Sequence, residues 1–350
     1  MARTVLKALN EGLHELFDAD PRPMLIGEDL VDPYGGAFKV SKGLSTRFPD
    51  RVWSTPISEA GLVGVATGMA MRGKRPIAEI MFGDFGLLAA DQLCNHAAKF
   101  RGMYAGKVQV PLVVRMPMGG RRGYGPTHSQ SLEKHFMGMP GLVVVAIHPL
   151  VEVGRLLRRA VLDDDRPVLW VENKTMYARR LRLGEVALSG WSVESHGGPY
   201  PTLSLRRKQA PRSDVSLVAY GGMVEMALEA ADELLIADEI YAEVVVPLRL
   251  SPLEVKPMAA SVARSGALVV CEEASPAAGV GAEVMAAITE ALGDRRWRGR
   301  RVGARAMPIA NARTLERAIL PQVQDLVVGA REVVQQSMTT QPMGGRRWNG

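Results

Sequence analysis

Residues 55–85 read TPISEAGLVGVATGMAMRGKRPIAEIMFGDF, and the two halves of this stretch have different characters. From Ser58 to Met71 the residues are small and apolar with no internal proline, and Ser58 has a side chain suited to capping a helix. From Pro76 to Phe82 the run is short and apolar, which predicts a buried strand. A helix feeding a buried strand is the repeating unit of a parallel sheet covered on both faces.

The same alternation extends in both directions. Met24 to Ile26, Val110 to Arg115, Leu142 to Ile147 and Val168 to Glu172 read as strands. Leu87 to Phe100 and Leu150 to Leu162 read as helices, and Val5, Leu9, Leu13, Leu16 and Phe17 fall at helical spacing near the start. Between Leu181 and Arg212 the pattern degrades into Gly, Ser, Pro and Arg, including Gly197-Gly-Pro-Tyr-Pro201, and this is expected to be an interdomain connection. A second unit follows, with strands at Val215–Tyr220, Tyr241–Val246 and Ala267–Cys271. Its helices are expected at Met223–Ala237, Leu253–Ala263, Gly281–Leu292 and Leu315–Val334. The expected fold class is therefore α/β with two domains, each a mainly parallel sheet covered by helices. The expected boundaries are 1–180, a linker over 181–213, 214–335, and a disordered tail over 336–350.

The chain's 350 residues suit two domains rather than one. Cys94 and Cys271, the two cysteines of the sequence, cannot build a disulfide framework or a zinc site, which suits a reducing compartment. No apolar run approaches the ~18 residues of a membrane span, and the amphipathic N-terminus does not read as a signal peptide. A cytoplasmic protein with no membrane partner is expected. The net charge of +6 is mild, and its position matters more than its size.

In a sheet of this kind ligands sit beyond the carboxyl ends of the strands. That rule singles out Glu28 and Asp29, then Gly83-Asp84-Phe85, then the glycine-rich loop from Pro117 to Gln130 containing His128. Glu59 would fall in the first turn of its helix, where a carboxylate is welcome on a solvated surface. Its neighbours Ile57, Ala60, Gly61 and Leu62 also allow a dry site, in which burial would raise its pKa while the helix start lowers it.

The string Pro56-Ile-Ser-Glu59, with Gly27-Glu28-Asp29 before it, resembles the beta subunits of thiamine-diphosphate-dependent 2-oxo acid dehydrogenases. Further matches stand in order: Gly35-Gly-Ala-Phe-Lys-Val-Ser-Lys-Gly43, Arg75-Pro-Ile-Ala-Glu79, Asp91-Gln, His128-Ser-Gln, Pro140-Gly-Leu and Val171-Glu. Val246-Pro-Leu-Arg-Leu-Ser-Pro-Leu and Gly279-Val-Gly-Ala-Glu283 continue them into the second unit. The resemblance implies a pyrimidine-binding domain followed by a transketolase C-terminal-like domain. It also implies thiamine diphosphate as cofactor and a 2-oxo acid as substrate.

By that resemblance, Glu59 bonds a ring nitrogen of the aminopyrimidine and favours the tautomer that activates the cofactor. Glu28 becomes a second acid beside the site, Phe85 the ring on which the pyrimidine stacks, and Ile57 and Met81 apolar contacts. His128 becomes a proton donor or an orienter of the acyl group. Leu112, Ala160, Val161, Asp163 and Asp165 match a loop that holds a structural potassium ion mainly through backbone oxygens. Arg121 and Arg122 offer charge for a substrate carboxylate or a phosphorylated carrier, or are solvated loop residues. Met81-Phe-Gly-Asp-Phe85 departs from the pyruvate-type pattern toward the branched-chain one.

The family's metal-binding Gly-Asp-Gly motif with its later Asn is missing, since Gly83-Asp84 and Gly293-Asp294 are not followed by Gly. The Mg²⁺ and diphosphate ligands are therefore expected from an alpha subunit, in a heterotetramer of two alpha and two beta subunits. The acyl acceptor is expected to be a lipoyl acyltransferase component. The alternatives are acyloin formation and loading of another acyl carrier in secondary metabolism. A remote third reading is nucleic-acid binding through Arg295-Arg-Trp-Arg-Gly-Arg-Arg301 and the tail's Arg346-Arg-Trp348.

Overall fold

In the computed structural model, which describes residues 3–184 and 188–339, the chain forms two sheets. The first is built from β1 (Pro23–Gly27), β2 (Val52–Ser54), β3 (Arg75–Glu79), β4 (Val113–Met118), β5 (Val143–Ala146) and β6 (Val168–Asn173). These six pair in parallel, in the spatial order β5-β6-β4-β3-β1-β2. Successive residues of each strand point to opposite faces, and both faces are buried. Leu25, Ile77, Val113 and Trp170 pack on one side against Leu9, Leu13, Leu16 and Phe17 of the first helix, Val5–Ala19. Ile26, Ala78, Val114 and Leu169 pack on the other, against Leu62 and Val63 of the helix Glu59–Met71. Burial on both faces is why these strands read as unbroken apolar runs.

The second sheet contains β7 (Trp191–His196), β8 (Thr202–Arg207), β9 (Val215–Ala219), β10 (Ala242–Pro247), β12 (Ala267–Cys271) and β13 (Arg298–Val302). Its order is β13-β12-β9-β10-β8-β7, with β8 antiparallel to both of its neighbours. The linker expected over 181–213 is corrected here. Residues 191–207 form a β-hairpin, and Gly197-Gly-Pro-Tyr-Pro201 is its connection. The strands escaped notice because β7 buries only Trp191 fully, while β8 buries Thr202 and Ser204 beside Leu203 and Leu205. Each strand alternates apolar and polar residues over only four positions, Trp191 to Glu194 and Thr202 to Leu205, too short a pattern to stand out among the surrounding Gly, Ser, Pro and Arg.

Two further expectations change. The last helix is broken into Arg313–Ile319 and Val323–Thr339. Pro321 cannot continue a helix and disfavours helical backbone at Leu320, which is extended. The second of these helices runs through residues 336–339, the beginning of the expected tail; the remainder of that tail lies outside the described residues. Leu87 to Phe100 forms 3-10, π and α turns in succession rather than one helix.

The two sheets share a core. Leu268, Val270, Val284 and Ile288 of the second unit belong to the same buried cluster as Ile80, Val114 and Met116 of the first. A short strand, β11 (Arg249–Ser251), leaves the second unit to pair antiparallel with β5 at the edge of the first sheet. The outer face of the second sheet is covered by the helices Val224–Asp238 and Val323–Thr339.

Candidate active site

Four neighbouring strands of the first sheet, β6-β4-β3-β1, deliver their following loops to one end of the molecule. Glu28 follows β1, Met81 to Phe85 follow β3, the His128 loop follows β4, and Lys174 follows β6. The rule that ligands sit beyond strand ends thus gathers the expected residues at one place.

Glu59 opens its helix, with the Ser58 hydroxyl accepting from the Gly61 N–H at 3.4 Å. Its carboxylate is 4% exposed, so the dry reading holds. Glu28 is 6% exposed and close enough to feel the charge of Glu59. Burial, then the charges of Glu59 and Asp29, push Glu28 up to about 7, against one hydrogen bond donated by the Ser58 backbone. Its Oε1 is buried without a hydrogen-bond partner among the described residues. Beside these acids Ile57 is 82% exposed and Met81 is half-buried.

An aromatic cluster stands opposite. The half-buried His128 ring lies edge-on to Phe82 at 4.8 Å and to Phe85 at 5.2 Å between centroids. Its Nδ1 is 2.9 Å from Thr127 Oγ1. Lys174, which the sequence did not single out, is buried beneath it and donates to the His128 carbonyl at 2.5 Å. Burial pulls the Lys174 ammonium down to about 8, with Asp84 and Glu273 opposing. Asp84 accepts from Gln130 N at 3.1 Å and Gln130 Nε2 at 3.0 Å, so the unusual Gly83-Asp84 pair fastens the β3 loop to the His128 loop.

Beneath the cluster lies a second group that sequence reasoning missed. Arg115, wholly buried on β4, makes a two-pronged bond to Glu172 on β6, both at 2.8 Å, and also donates to Glu79 on β3. Tyr177 donates to Glu172 at 2.5 Å. Burial lifts Glu79 despite Arg115. The available signal was one charge set among apolar residues on each of three strands expected to be buried, which implies mutual pairing.

Arg121 is held by the second domain. Its Nη2 donates to Pro321 O at 2.6 Å, and its Nε lies 3.6 Å from Glu273 Oε2, both in the second domain. Arg122 is exposed beside Tyr124.

At the expected potassium loop, a guanidinium already stands against the chain. Arg75 Nη1 donates to Val161 O at 3.4 Å and Asp164 O at 2.9 Å, and its Nη2 donates to Asp165 Oδ1 at 2.9 Å. The Leu112 carbonyl accepts from Val168 N at 2.8 Å. A guanidinium therefore supplies the positive charge at the loop of Ala160, Val161, Asp163 and Asp165. Among the described residues no group of three His, Cys, Asp or Glu side chains is placed to hold a metal ion. None of the described helices is long and apolar enough to cross a membrane.

Comparison with known proteins identifies the family. Residues 2–179 match the transketolase pyrimidine-binding domain, and residues 205–326 match the transketolase C-terminal domain. The chain is 37% identical to the mitochondrial pyruvate dehydrogenase E1 component subunit beta-2 of Oryza sativa, over 94% of this chain and 85% of the rice protein. It belongs to the E1 beta-subunit family. Another relative, the acetoin:2,6-dichlorophenolindophenol oxidoreductase subunit beta of Cupriavidus necator, is 36% identical over 95% of this chain and 98% of that protein. A solved split-gene transketolase, described as an inactive beta4 tetramer, shares the fold of this E1 beta-type chain. Its TM-score is 0.70 at 21% identity, covering 94% of this chain and 97% of that one. Among the residues expected to form a pyrimidine half-site, Glu28 carries a buried carboxyl oxygen with no hydrogen-bond partner among the described residues, and Ile57 is exposed beside it.

Proposed function

We propose that this chain is the beta subunit of a thiamine-diphosphate-dependent 2-oxo acid dehydrogenase component, and that it supplies the pyrimidine half of the site. The observation that carries the reading is the pair Glu28 and Glu59, two nearly buried carboxyls facing one strand-end site that also holds Phe85 and His128. Thiamine diphosphate, when bound, supplies the electron sink for decarboxylation of the 2-oxo acid.

The protein's own groups divide the remaining work. Glu59, at a dry helix start, holds and exchanges the proton at a pyrimidine ring nitrogen. Glu28 keeps a proton near neutrality and stores it beside Glu59. Phe85, Ile57 and Met81 give the pyrimidine apolar faces and exclude water. His128 moves a proton at an imidazole nitrogen to or from the substrate's oxygen. Mg²⁺ and the diphosphate are left to an alpha subunit, in a heterotetramer of two alpha and two beta chains. That assembly is supported by the uncovered face of the Glu59–Met71 helix, where Gly61, Val65 and Gly68 are exposed near Ile57. The acceptor in this reading is a lipoyl group of an acyltransferase component.

Co-expression with an alpha-type partner, loading with thiamine diphosphate and Mg²⁺, and 2-oxo acid-dependent reduction of a dye test the reading. A loaded heterotetramer that turns over no 2-oxo acid would overturn it.

A further inference from the structure

The His128 loop is poorly equipped to hold its own shape. Between residues 119 and 125, Gly119, Arg121, Gly123 and Gly125 all have positive φ, and Arg121 carries a side chain in that conformation at φ 67°. A chain this rich in glycine is ordered only by what it touches.

Besides the first-domain bonds with Asp84 and Lys174, it touches the second domain. Glu316, on the helix Arg313–Ile319, accepts from Arg121 N at 2.7 Å through Oε1 and from Gly123 N at 3.1 Å through Oε2. Glu273, just after β12, uses one oxygen for both ends of the loop. Its Oε1 accepts from Gly120 N at 2.7 Å and from the Ser131 hydroxyl at 3.2 Å. The two carboxylates are 3% and 5% exposed. The glycines permit the approach: a Cβ on Gly119 would lie 2.6 Å from Glu273 Oε1, and one on Gly120 would lie 2.6 Å from Leu320 Cδ1. Both carboxylates accept from backbone N–H groups, and Glu273 Oε2 also lies 3.6 Å from Arg121 Nε, so together they fix the path of the chain.

We propose that Glu316 and Glu273 of the carboxyl-terminal domain are positioning residues that set the place of the His128 imidazole. This rests on the reading of His128 as a proton-exchanging group. The second domain is thereby a working part of the active site, acting through a histidine carried by the first.

The test uses the assembled alpha–beta enzyme. Glu316→Gln keeps the shape but leaves a single accepting oxygen for two N–H groups and turns an amide NH₂ toward the other. Hydrogen exchange is expected to quicken at least ~10-fold for amides 119–131, with other segments unchanged. Turnover is expected to fall at least ~10-fold with little change in KM, and to fall no further when the substitution is made in a His128→Ala background. Unchanged loop exchange overturns the clamp. A faster loop with equal losses in both backgrounds overturns the action through His128. Full activity of His128→Ala alone would instead overturn the role given to His128, and the exchange data would still report on the loop. Should Glu316→Gln impair assembly, Ser131→Ala removes one bond to Glu273 and leaves both carboxylates. The same localised exchange with wild-type assembly is then expected, and its absence overturns the clamp.

Discussion

The carboxyl of Glu28 lies beside the backbone of Ser58, the residue whose side chain caps the helix that Glu59 begins, and that backbone opposes the upward push of burial on the acid. A strand end and a helix start thus meet where the two acids lie.

Glu59→Gln removes the exchangeable proton and keeps the volume. Turnover of the loaded heterotetramer is expected to fall by at least ~100-fold, the scale of a lost general acid–base group. Gel filtration and thermal melting are expected to match the unsubstituted protein. Activity within a few-fold of wild type would remove Glu59 from the mechanism.

The acids also predict how stability varies with pH. Burial raises Glu28 from 4.5 to about 7. Between those values the folded chain keeps a proton that the unfolded chain has released, so stability falls as pH rises through that window and levels above it. Glu272 is lifted to about 7, again by burial, and acts in the same direction. Melting temperature measured from about pH 5 to about pH 8 should decline, and Glu28→Gln should flatten part of the decline. A slope untouched in both Glu28→Gln and Glu272→Gln would contradict it.

Arg75 makes a prediction about salt. Because its guanidinium serves Val161, Asp164 and Asp165, exchanging potassium for choline is expected to leave the melting temperature unchanged. Arg75→Met strips donors from two carbonyls and a carboxylate, and about 2 kcal/mol of stability should be lost. A potassium-dependent melting temperature in the wild type would return a cation to this loop.

Two glycine substitutions should separate folding from assembly. Gly154→Ala places a Cβ 2.3 Å from Ala8 O, between the helices Val5–Ala19 and Val153–Leu162. Denaturant unfolding should register a cost of about 1–3 kcal/mol. Gly68→Ala meets no atom within 4 Å among the described residues. It should leave the isolated chain as stable or more so by up to ~1 kcal/mol, while weakening association with the alpha subunit, as read by sedimentation. Unweakened association would remove this face from the interface.

What was readable in the sequence follows from which forces are local. β3, β4 and β6 were visible because two cores bury both of their faces, and Ser58 announced its helix by capping chemistry. Glu59 and His128 could be singled out as candidates because their motifs lie on short contiguous stretches. The hairpin at 191–207 was hidden because Thr202 and Ser204 fill buried positions. Glu273 and Glu316 were invisible because their partners in the loop lie 153 and 195 residues away along the chain. Lys174 could not be read as a loop anchor for a similar reason, since its acceptor is a backbone carbonyl.

The short strand Arg249–Ser251 bears on how the chain is made. During synthesis the edge of the first sheet beside β5 stays open until more than a hundred further residues have been added. Contacts of such long sequence separation slow folding and leave an unpaired edge exposed meanwhile. Cutting the gene near residue 180 would strand that edge permanently. The two sequence families that meet in this polypeptide mark its ancestry; as an object that must fold, it is one piece.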